Sequence, residues 1–385
     1  MKLVFIGNGL HHADDYPVPK VGGSVQTWYL CRELARRGYE VYIIRRSDFK
    51  EVTADNVRLV GIDFNGLDCL KLPFWTYLFH MGALTSKIYF SKKSLEVILK
   101  IKPHVICLID RFTGIFPSYL DIPKIYIMHV PEALDFFKSY AIHANKLNSI
   151  MFHVKKVTES KVLQSANRVV VLNRFIERYL RERGYSNVNR IPNGIDIENF
   201  SNKGDEGFIL YAGRFDWNKN VCSLVNVFAQ ICNAYPDFRL YIVGAGPEEK
   251  KIRSLVKERG IQSRVKIIPW MPRSKLMKLM SKCSVFVLPS FFEAGGPPVV
   301  VLEAMASAKP VIARANMGTV DIIVHGENGY LYNNDEELRE YLETLLYDDN
   351  LRKKIGRKAR ETVEREYTFS RIADRYEELF YTLIK

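Results

Sequence analysis

Two carboxylates and a pair of glycines lie close together within residues 284–313. Glu293 precedes the adjacent glycines Gly295 and Gly296, and Glu303 lies ten positions after Glu293. Carboxylates accept hydrogen bonds from hydroxyl groups, and a glycine loop that leads into a helix exposes backbone N–H groups to an anion. This stretch therefore predicts a site for a ligand that carries both phosphates and hydroxyls.

A second group of candidates follows a predicted strand over residues 208–211. Gly213, Arg214 and Lys219 lie in the loop directly after this strand. In open α/β sheets, ligands bind beyond the carboxyl ends of the strands. A guanidinium and an ammonium group at that position predict a diphosphate clamp.

Three further candidates lie in the first half of the chain. Gly22 and Gly23 stand where a long loop meets a predicted helix over residues 24–37. They either let backbone approach a phosphate or simply turn the chain. His129 follows a predicted strand over residues 124–128, and is either a site residue or a structural histidine.

The elements that must position these residues alternate between strands and helices. Short apolar runs such as residues 2–6 and 285–288 predict buried strands, and the segments between such runs predict helices. This alternation of strands and helices predicts an α/β fold with doubly wound, Rossmann-like sheets. A polar, glycine-bearing segment at residues 201–207 predicts a boundary between two domains.

The composition is that of a globular protein with an anionic partner. Of 385 residues, 47% are hydrophobic and 26% are charged, which excludes a disordered chain. The formal net charge of +13 fits nucleic acid, acidic lipid or a phosphorylated substrate, and does not choose among them. The six cysteines form no CxxC pair, so we expect a reduced, cytoplasmic protein.

We expect no membrane span, because no apolar run is long enough to cross a bilayer. Residues 70–100 and 133–161 nevertheless combine apolar and basic side chains. Either these stretches are core-facing helices with solvated lysines, or they lie on an anionic membrane surface as amphipathic helices.

A nicotinamide dinucleotide site is excluded by the residue types at the first two strands. Gly7 and Gly9 lack a third glycine, and Arg45 and Arg46 end the second strand, where such a site requires an acid for the ribose.

A resident metal is not expected either. His11, His12, Asp14 and Asp15 lie in one loop, but adjacent residues rarely point at one centre and no spacing such as HxxxH follows them. We predict no cofactor.

Taken together, these motifs resemble the retaining glycosyltransferases of family 4. The resemblance covers nearly the whole chain and rests on six segments in the family's order. They are VGGSVQTWYLCRELARRGYEV, RIPNGID, YAGRFDWNKN, IVGAGPEE, residues 288–313, and MGTVDIIVHGENGYL.

The resemblance implies the GT-B fold, in which two Rossmann-like domains face each other across a cleft. Residues 1–195 would form the acceptor-binding domain and residues 205–365 the donor-binding domain. A C-terminal helix over about residues 368–385 would pack on the first domain. The implied activity is transfer of a sugar from a UDP- or GDP-sugar to an acceptor hydroxyl, with retention at the anomeric carbon and without a metal.

The resemblance also implies roles for the charged residues. Arg214 and Lys219 would hold the diphosphate of the donor and stabilise charge on the leaving nucleotide. Glu303 would bind the ribose hydroxyls, and Glu293 the hydroxyls of the transferred sugar. His129 would lie near the donor sugar or the acceptor.

Backbone groups would complete the donor site. The implied donor-binding positions are Gly22, Gly23, Gly213, Gly295, Gly296, Val301, Leu302 and Glu303. Here the amides of the 299–302 turn and those near Gly23 would face the phosphates.

The sequence departs from the family pattern at two places. The family's two glutamates are usually eight positions apart, and eight positions before Glu303 stands Gly295. Either the loop carries two additional residues and Glu293 still reaches the sugar, or the sugar-binding acid is lost; we favour the first. Ala308 stands where glycine is common, and we expect this change to be nearly harmless at a helix end.

Other functions remain open at this stage. A nucleotide-sugar epimerase of the same fold, or a non-catalytic nucleotide-sugar-binding protein, would use the same site. A nucleic-acid-binding protein is disfavoured, since the cations lie in strand-end loops and no known motif of that class occurs. For the transferase we expect a glycan or lipid-linked acceptor and a cytoplasmic protein, peripheral on the inner face of an anionic membrane.

Overall fold

The structure is a computed structural model. It describes residues 1–7, 22–47, 50–62, 76–109, 111–129, 146–293 and 295–384. Contacts divide the chain into two units. The first comprises Met1–Ile191 together with Ile372–Lys385, and the second comprises Pro192–Arg371. The polar segment 201–207 lies within the second unit.

The first unit contains, among its described residues, an eight-stranded sheet in the order β3-β4-β2-β1-β5-β6-β7-β8. The strands are β1 (Lys2–Ile6), β2 (Glu40–Arg46), β3 (Glu51–Ala54), β4 (Val57–Ile62), β5 (Val105–Leu108), β6 (Lys124–Met128), β7 (Arg168–Val171) and β8 (Val188–Arg190). Neighbouring strands pair in parallel, except that β3 and β4 are antiparallel. Every residue of β5 and β6 is buried, as both faces of a parallel sheet require.

Helices connect these strands. They are α1 (Gly22–Arg36), α2 (Thr76–Ile101), α3 (Lys146–Ser165) and α4 (Arg174–Arg181). Phe90 and Ile98 of α2 are fully buried, so this helix has a core face within the stretch 70–100. α4 begins at Asn173, whose side chain accepts a hydrogen bond from the amide of Ile176 (2.8 Å).

The second unit contains a six-stranded, wholly parallel sheet in the order β11-β10-β9-β12-β13-β14. Its strands are β9 (Phe208–Ala212), β10 (Arg239–Val243), β11 (Val265–Ile268), β12 (Val285–Leu288), β13 (Val311–Arg314) and β14 (Tyr330–Tyr332). Its helices are α5 (Val221–Ile231), α6 (Glu249–Glu258), α7 (Arg273–Met280), α8 (Val299–Ala306), α9 (Asp335–Tyr347) and α10 (Asp349–Glu366). A last helix, α11 (Phe369–Ile384), begins in the second unit and lies mainly in the first.

Arg37 connects α11 to the rest of the first unit. Its Nη1 atom lies 2.7 Å from Asp374 and 2.6 Å from Glu377 on α11, while its Nε atom lies 3.1 Å from Glu33 on α1. One guanidinium therefore joins the last helix of the chain to the first.

The two sheets confirm the predicted α/β, Rossmann-like class. The strands predicted at residues 2–6, 124–128 and 285–288 have these bounds in the structure. The hairpin of β3 and β4 was not predicted, because β3 is a short, largely exposed edge strand without an apolar run.

The end of α8 corrects the expectation for Ala308. The amide of Ala308 donates to Met305 (2.9 Å) and the amide of Lys309 donates to Ala304 (3.0 Å), which is a Schellman motif. Ala308 therefore occupies the left-handed position of the motif, with φ +52°. A Cβ atom at this position is strained by about 1 kcal/mol, so the alanine is not harmless.

We predict that Ala308→Gly raises the free energy of unfolding by roughly 0.5–1 kcal/mol, because relief of the left-handed strain exceeds the added freedom of the unfolded chain. Ala229→Gly is the matched control, since Ala229 lies inside α5 in ordinary helical geometry. There the same change is expected to destabilise by about 1 kcal/mol. Urea unfolding curves of the two variants measure both effects, and a loss of stability in Ala308→Gly would contradict the strain argument.

Candidate functional site

The candidate site of the second unit lies where three neighbouring strands end. β9, β12 and β13 are adjacent and parallel, so their carboxyl ends lie at one edge of the sheet. The segments that follow them are residues 213–220, 289–298 and 315–319. The predicted site residues of the first two segments are Gly213, Arg214, Lys219, Glu293, Gly295 and Gly296. The parallel topology thus brings these six residues to one edge.

The first segment starts with a close approach of two backbones. The amide of Gly213 donates to Val243 (3.0 Å), and a Cβ atom on Gly244 would lie 1.9 Å from the carbonyl oxygen of Gly213. The hydroxyl of Tyr211 donates to the carbonyl oxygen of Arg214 (2.7 Å). These contacts fix the backbone that carries Arg214.

The side chain of Arg214 extends into solvent. It is 80% exposed, and its Nε atom donates to Oδ2 of Asp216 at 2.7 Å, with a second contact from Nη2 to the same oxygen. Ion pairs this exposed contribute about 1 kcal/mol or less. The guanidinium can therefore exchange Asp216 for a ligand phosphate with little loss.

Lys219 and Glu293 form the central contact of the site. Nζ of Lys219 lies 2.5 Å from Oε1 of Glu293, and the two side chains are 22% and 17% exposed. The Glu293 carboxylate therefore lies directly beside the predicted phosphate-binding cation. Contact of Glu293 with a sugar stays a prediction.

Asn218 joins the first two segments next to this ion pair. Its side-chain amide donates to the carbonyl oxygen of Phe292 (3.1 Å), and its side-chain oxygen accepts from the amide of Phe292 (3.3 Å). Its own carbonyl accepts from the amide of Phe291 (2.9 Å). Since Asn218 precedes Lys219 and Phe292 precedes Glu293, these three hydrogen bonds set the spacing of the two charged residues.

Two further asparagines hold the rest of segment 289–298. Asn316 donates to the carbonyl oxygen of Ser290 (3.1 Å). Asn193 donates to the carbonyl oxygens of Gly295 (3.4 Å) and Pro297 (3.3 Å). The segment that carries Glu293 is thus fixed before and after the carboxylate.

Gly318 leaves room for the same segment. A Cβ atom on Gly318 would lie 2.4 Å from the carbonyl oxygen of Gly296 and 3.0 Å from Cβ of Glu293. Gly296 itself has φ +89°, where other residues are strained. Both glycines are therefore required for the observed position of Glu293.

The first turn of α8 corrects the prediction for Val301 and Leu302. Their amides donate to the carbonyl oxygen of Pro298 (2.9 and 3.1 Å), so they are engaged within the helix. For the amides of Val299 and Val300, no acceptor is found among the described residues. These two, which belong to the predicted 299–302 turn, are the donors that the helix presents to an anion.

Glu303 lies buried in the second turn of α8. Its Oε1 atom accepts a hydrogen bond from Nε of Arg273, the first residue of α7, at 2.8 Å. Burial raises the pKa of the Glu303 carboxyl, while the charge and the hydrogen bond of Arg273 lower it. Binding of a ribose to Glu303 stays a prediction.

The predicted residues of the first unit lie in other elements. Gly22 and Gly23 are the first two residues of α1, so the helix begins earlier than residue 24. His129 directly follows β6. Burial lowers the pKa of its imidazole to about 4, so the ring is neutral at pH 7, and its buried Nε2 atom has no hydrogen-bond partner among the described residues.

The metal candidates His11, His12, Asp14 and Asp15 lie outside the described residues. Within the described ranges, no group of three or more His, Cys, Asp or Glu side chains could hold a metal ion. In the same part of the chain, no helix is long and apolar enough to cross a bilayer.

Several residues that shape the site were not identified from the sequence. They are Asn193, Asn218, Arg273, Asn316 and Gly318. For three of them the available signal was their place in family segments, since Asn193 belongs to RIPNGID, Asn218 to YAGRFDWNKN and Gly318 to MGTVDIIVHGENGYL. Asn316 lies just before the last of these segments. Arg273 lies in none of the six segments, and only the structure pairs it with Glu303.

Two family models match consecutive parts of the chain. The model described as Glycosyltransferase Family 4 matches residues 21–199. The model described as Glycosyl transferases group 1 matches residues 195–362. Together they cover both units, including the whole strand-end site.

Relatives of known sequence agree with these matches. The chain is 25% identical over 383 residues to N-acetyl-alpha-D-glucosaminyl L-malate synthase of Bacillus anthracis, covering 95% of this chain and 96% of that protein. It is 29% identical over 250 residues to an uncharacterized glycosyltransferase of Methanocaldococcus jannaschii, covering 64% of this chain and 65% of that protein.

Solved structures share the fold. Sucrose-phosphate synthase from Thermosynechococcus elongatus superposes with a TM-score of 0.79 at 22% identity, covering 99% of this chain and 98% of that one. HepE of Anabaena, in complex with UDP and glucose, superposes with a TM-score of 0.74 at 16% identity and full coverage of both chains. The chain therefore belongs to the family 4 glycosyltransferases and is a transferase enzyme with the GT-B fold.

Proposed function

We propose that the protein transfers a sugar from a nucleoside diphosphate sugar to an acceptor hydroxyl, with retention at the anomeric carbon. The observation that carries this proposal is the contact between Lys219 and Glu293. An ammonium group suits a phosphate, and a carboxylate suits sugar hydroxyls. The two groups are neighbours in the site, just as the phosphate and the sugar are neighbours in such a donor.

The donor we propose is a UDP-sugar, with a GDP-sugar as the other possibility. The structure of HepE holds UDP and glucose, and its fold matches this chain over its full length. In the present chain, Arg214 and Lys219 would bind the diphosphate, together with the free amides of Val299 and Val300. Glu303 would accept hydrogen bonds from the ribose.

The proposed reaction exchanges one C–O bond for another. The bond between the anomeric carbon and the leaving phosphate oxygen breaks, and a bond from the acceptor oxygen to the same face of that carbon forms. The nucleoside diphosphate departs with both electrons of the broken bond, and its phosphate takes up the proton of the acceptor hydroxyl. Lys219 and Arg214 stabilise the negative charge that builds on this phosphate. No step requires a metal.

Glu293 has a second effect in this scheme. With no donor bound, it neutralises Lys219, and a diphosphate that binds Lys219 releases the carboxylate toward the sugar. A free carboxylate near the anomeric carbon stabilises the positive charge that develops there. His129, neutral at pH 7, can exchange hydrogen bonds with a sugar or acceptor hydroxyl.

For the acceptor we propose a glycan, including a lipid-linked one, with the enzyme peripheral on the cytoplasmic face of the membrane. The net charge of +13 supports attraction to anionic lipid headgroups. Sedimentation with anionic liposomes at low salt tests this part alone. A protein that stays in the supernatant would remove the membrane from the proposal and leave the transferase intact.

Radiolabelled nucleotide sugars, offered with and without candidate glycans, test the reaction itself. We expect nucleotide release that depends on the acceptor, an α- or β-linkage that matches the donor, and an unchanged rate after treatment with EDTA. A new free sugar nucleotide without acceptor would indicate an epimerase. Binding without any turnover would indicate a non-catalytic sugar-nucleotide-binding protein.

Lys219→Ala and Arg214→Ala are each expected to lower kcat by a factor of about 100 or more, because each removes a charge that stabilises the leaving phosphate. Lys257→Ala is the control, since it removes an exposed cation from the last turn of α6, at the opposite end of that helix from the strand-end loop of β10. Steady-state rates at saturating donor measure the effect. Wild-type rates in the first two variants would rule out their assignment.

Glu293→Gln is expected to lower kcat without raising KM for the donor. The amide keeps the shape of the side chain but no longer neutralises Lys219, so KM for the donor should stay level or fall. Loss of the carboxylate should lower kcat by roughly 10- to 100-fold, the range expected for a hydrogen bond to a charged group. An unchanged kcat would mean that another group contacts the sugar.

Gly318→Ala tests the position of the Glu293 segment. The added methyl group would lie 2.4 Å from Gly296 and must displace the segment, so we expect kcat to fall at least about tenfold. Gly260→Ala is the matched control, because Gly260 has φ +67° but open space around it. That variant should lose about 1 kcal/mol of stability and keep its turnover. Equal turnover in both variants would refute the positional argument.

A further inference from the structure

Arg273, the first residue of α7, and Glu303 of α8 form an ion pair in the second unit. Glu303 is only 9% exposed at its side chain, whereas Arg273 is 33% exposed, and one hydrogen bond of 2.8 Å joins Nε to Oε1. The other carboxylate oxygen, Oε2, has no partner among the described residues. One oxygen is thus occupied and one remains to accept a hydrogen bond.

The surroundings of Glu303 favour its neutral form. β12 contributes only buried apolar residues to the contact with α8. Arg314, at the end of β13, lies over the ring of Phe291 (5.2 Å), and Arg360 of α10 donates to the carbonyl oxygen of Ala306 (2.6 Å). Arg273 is therefore the cation recorded in contact with the carboxylate, within the described residues.

A neutral Glu303 would be a poor partner for a diol. A carboxylate accepts hydrogen bonds with both oxygens, whereas a carboxylic acid loses acceptor capacity and strength. The side chain must therefore stay ionised in an apolar setting. The charge and hydrogen bond of Arg273 oppose the effect of burial on the Glu303 pKa.

We propose that Arg273 is a positioning residue for the ribose of the donor. It binds Oε1 of Glu303, fixes the carboxylate in its charged form, and leaves Oε2 for a ribose hydroxyl. This inference rests on the proposed function, because it requires a nucleoside diphosphate at the site. Arg273 itself needs no contact with the donor.

The backbone supports this role. Pro272 is the N-cap of α7, so Arg273 is the first residue of the helix and its backbone belongs to regular secondary structure. The guanidinium also lies over the buried ring of Phe200, with 5.9 Å between Cζ and the ring centroid. The arginine is therefore held from two sides.

The test compares the binding of UDP with that of 2′-deoxy-UDP, and the binding of GDP with that of 2′-deoxy-GDP, by calorimetry between pH 5.5 and 8.5. The preference for the ribose form reports the contact with Glu303. The variants are Arg273→Met, which removes the charge, and Arg273→Lys, which keeps it. Lys278→Met is the control, since it removes an exposed cation from the same helix.

We expect the wild type to prefer the ribose form by roughly tenfold or more. In Arg273→Met, the pH at which this preference is lost should rise by roughly 1–3 units, because an adjacent cation lowers a carboxyl pKa by about that amount. Arg273→Lys should restore most of the wild-type profile, and Lys278→Met should not change it. Thermal melting checks that each variant is folded.

Two results would be decisive against the inference. A folded Arg273→Met variant with the wild-type preference and pH profile would show that Arg273 is merely structural, while the proposed function would stand. If Arg273→Met does not fold, an Arg273→Lys variant whose preference is abolished at every pH would equally contradict a role based on charge. A wild type that binds no nucleoside diphosphate would overturn the proposed function itself.

Discussion

The second unit depends on how opposite charges are brought together at the edge where β9, β12 and β13 end. Lys219 and Glu293 lie in different segments, 74 residues apart, and meet at 2.5 Å. A cation or an acid alone at this edge would leave a partly buried charge without a partner, which is unfavourable. The contact therefore keeps the free protein stable and holds both groups where a phosphate and a sugar hydroxyl would need them.

Such a contact requires that the backbone of both segments is held in one conformation. The described residues of the segment that bears Glu293 and precedes α8 form no helix or strand, so its carbonyl groups lack the partners that regular secondary structure provides. Side-chain amides of Asn193, Asn218 and Asn316 satisfy them from three other places in the second unit. Asparagine suits this task because its amide both donates and accepts with little conformational freedom. These hydrogen bonds thus hold the Glu293 segment in place without the partners that a helix or strand would supply.

The parts of this arrangement that follow local rules could be predicted from the sequence. Apolar runs located the strands, and the order of loops placed Arg214, Lys219 and Glu293 at one edge, since parallel strands end on the same side. The parts that depend on three-dimensional contact could not. Nothing in the chain near Arg273 indicates that its partner is Glu303, 30 residues away. Of the amides predicted in the 299–302 turn, those of Val301 and Leu302 are engaged within α8, because the sequence does not reveal that Pro298 accepts from them. The cost of Ala308 depends on a left-handed φ that only the Schellman geometry imposes.

A common principle connects the exposed and buried charges of the second unit. Each cation of the candidate site is already paired in the free protein: Arg214 with Asp216, Lys219 with Glu293, and Arg273 with Glu303. The Arg214 side chain is 80% exposed, so a polyanion can take the place of Asp216 with a modest loss of Coulomb energy. Lys219 and Glu293 are partly buried, and a phosphate that binds Lys219 would replace one anionic partner with another. In the third pair the Glu303 carboxylate itself is buried in an apolar setting, and breaking the contact would leave its charge uncompensated. We therefore expect Arg214 and Lys219 to exchange their acidic partners for the phosphates of the donor. We expect Arg273 to stay bound to Glu303, whose carboxylate must be charged whether or not a donor is bound.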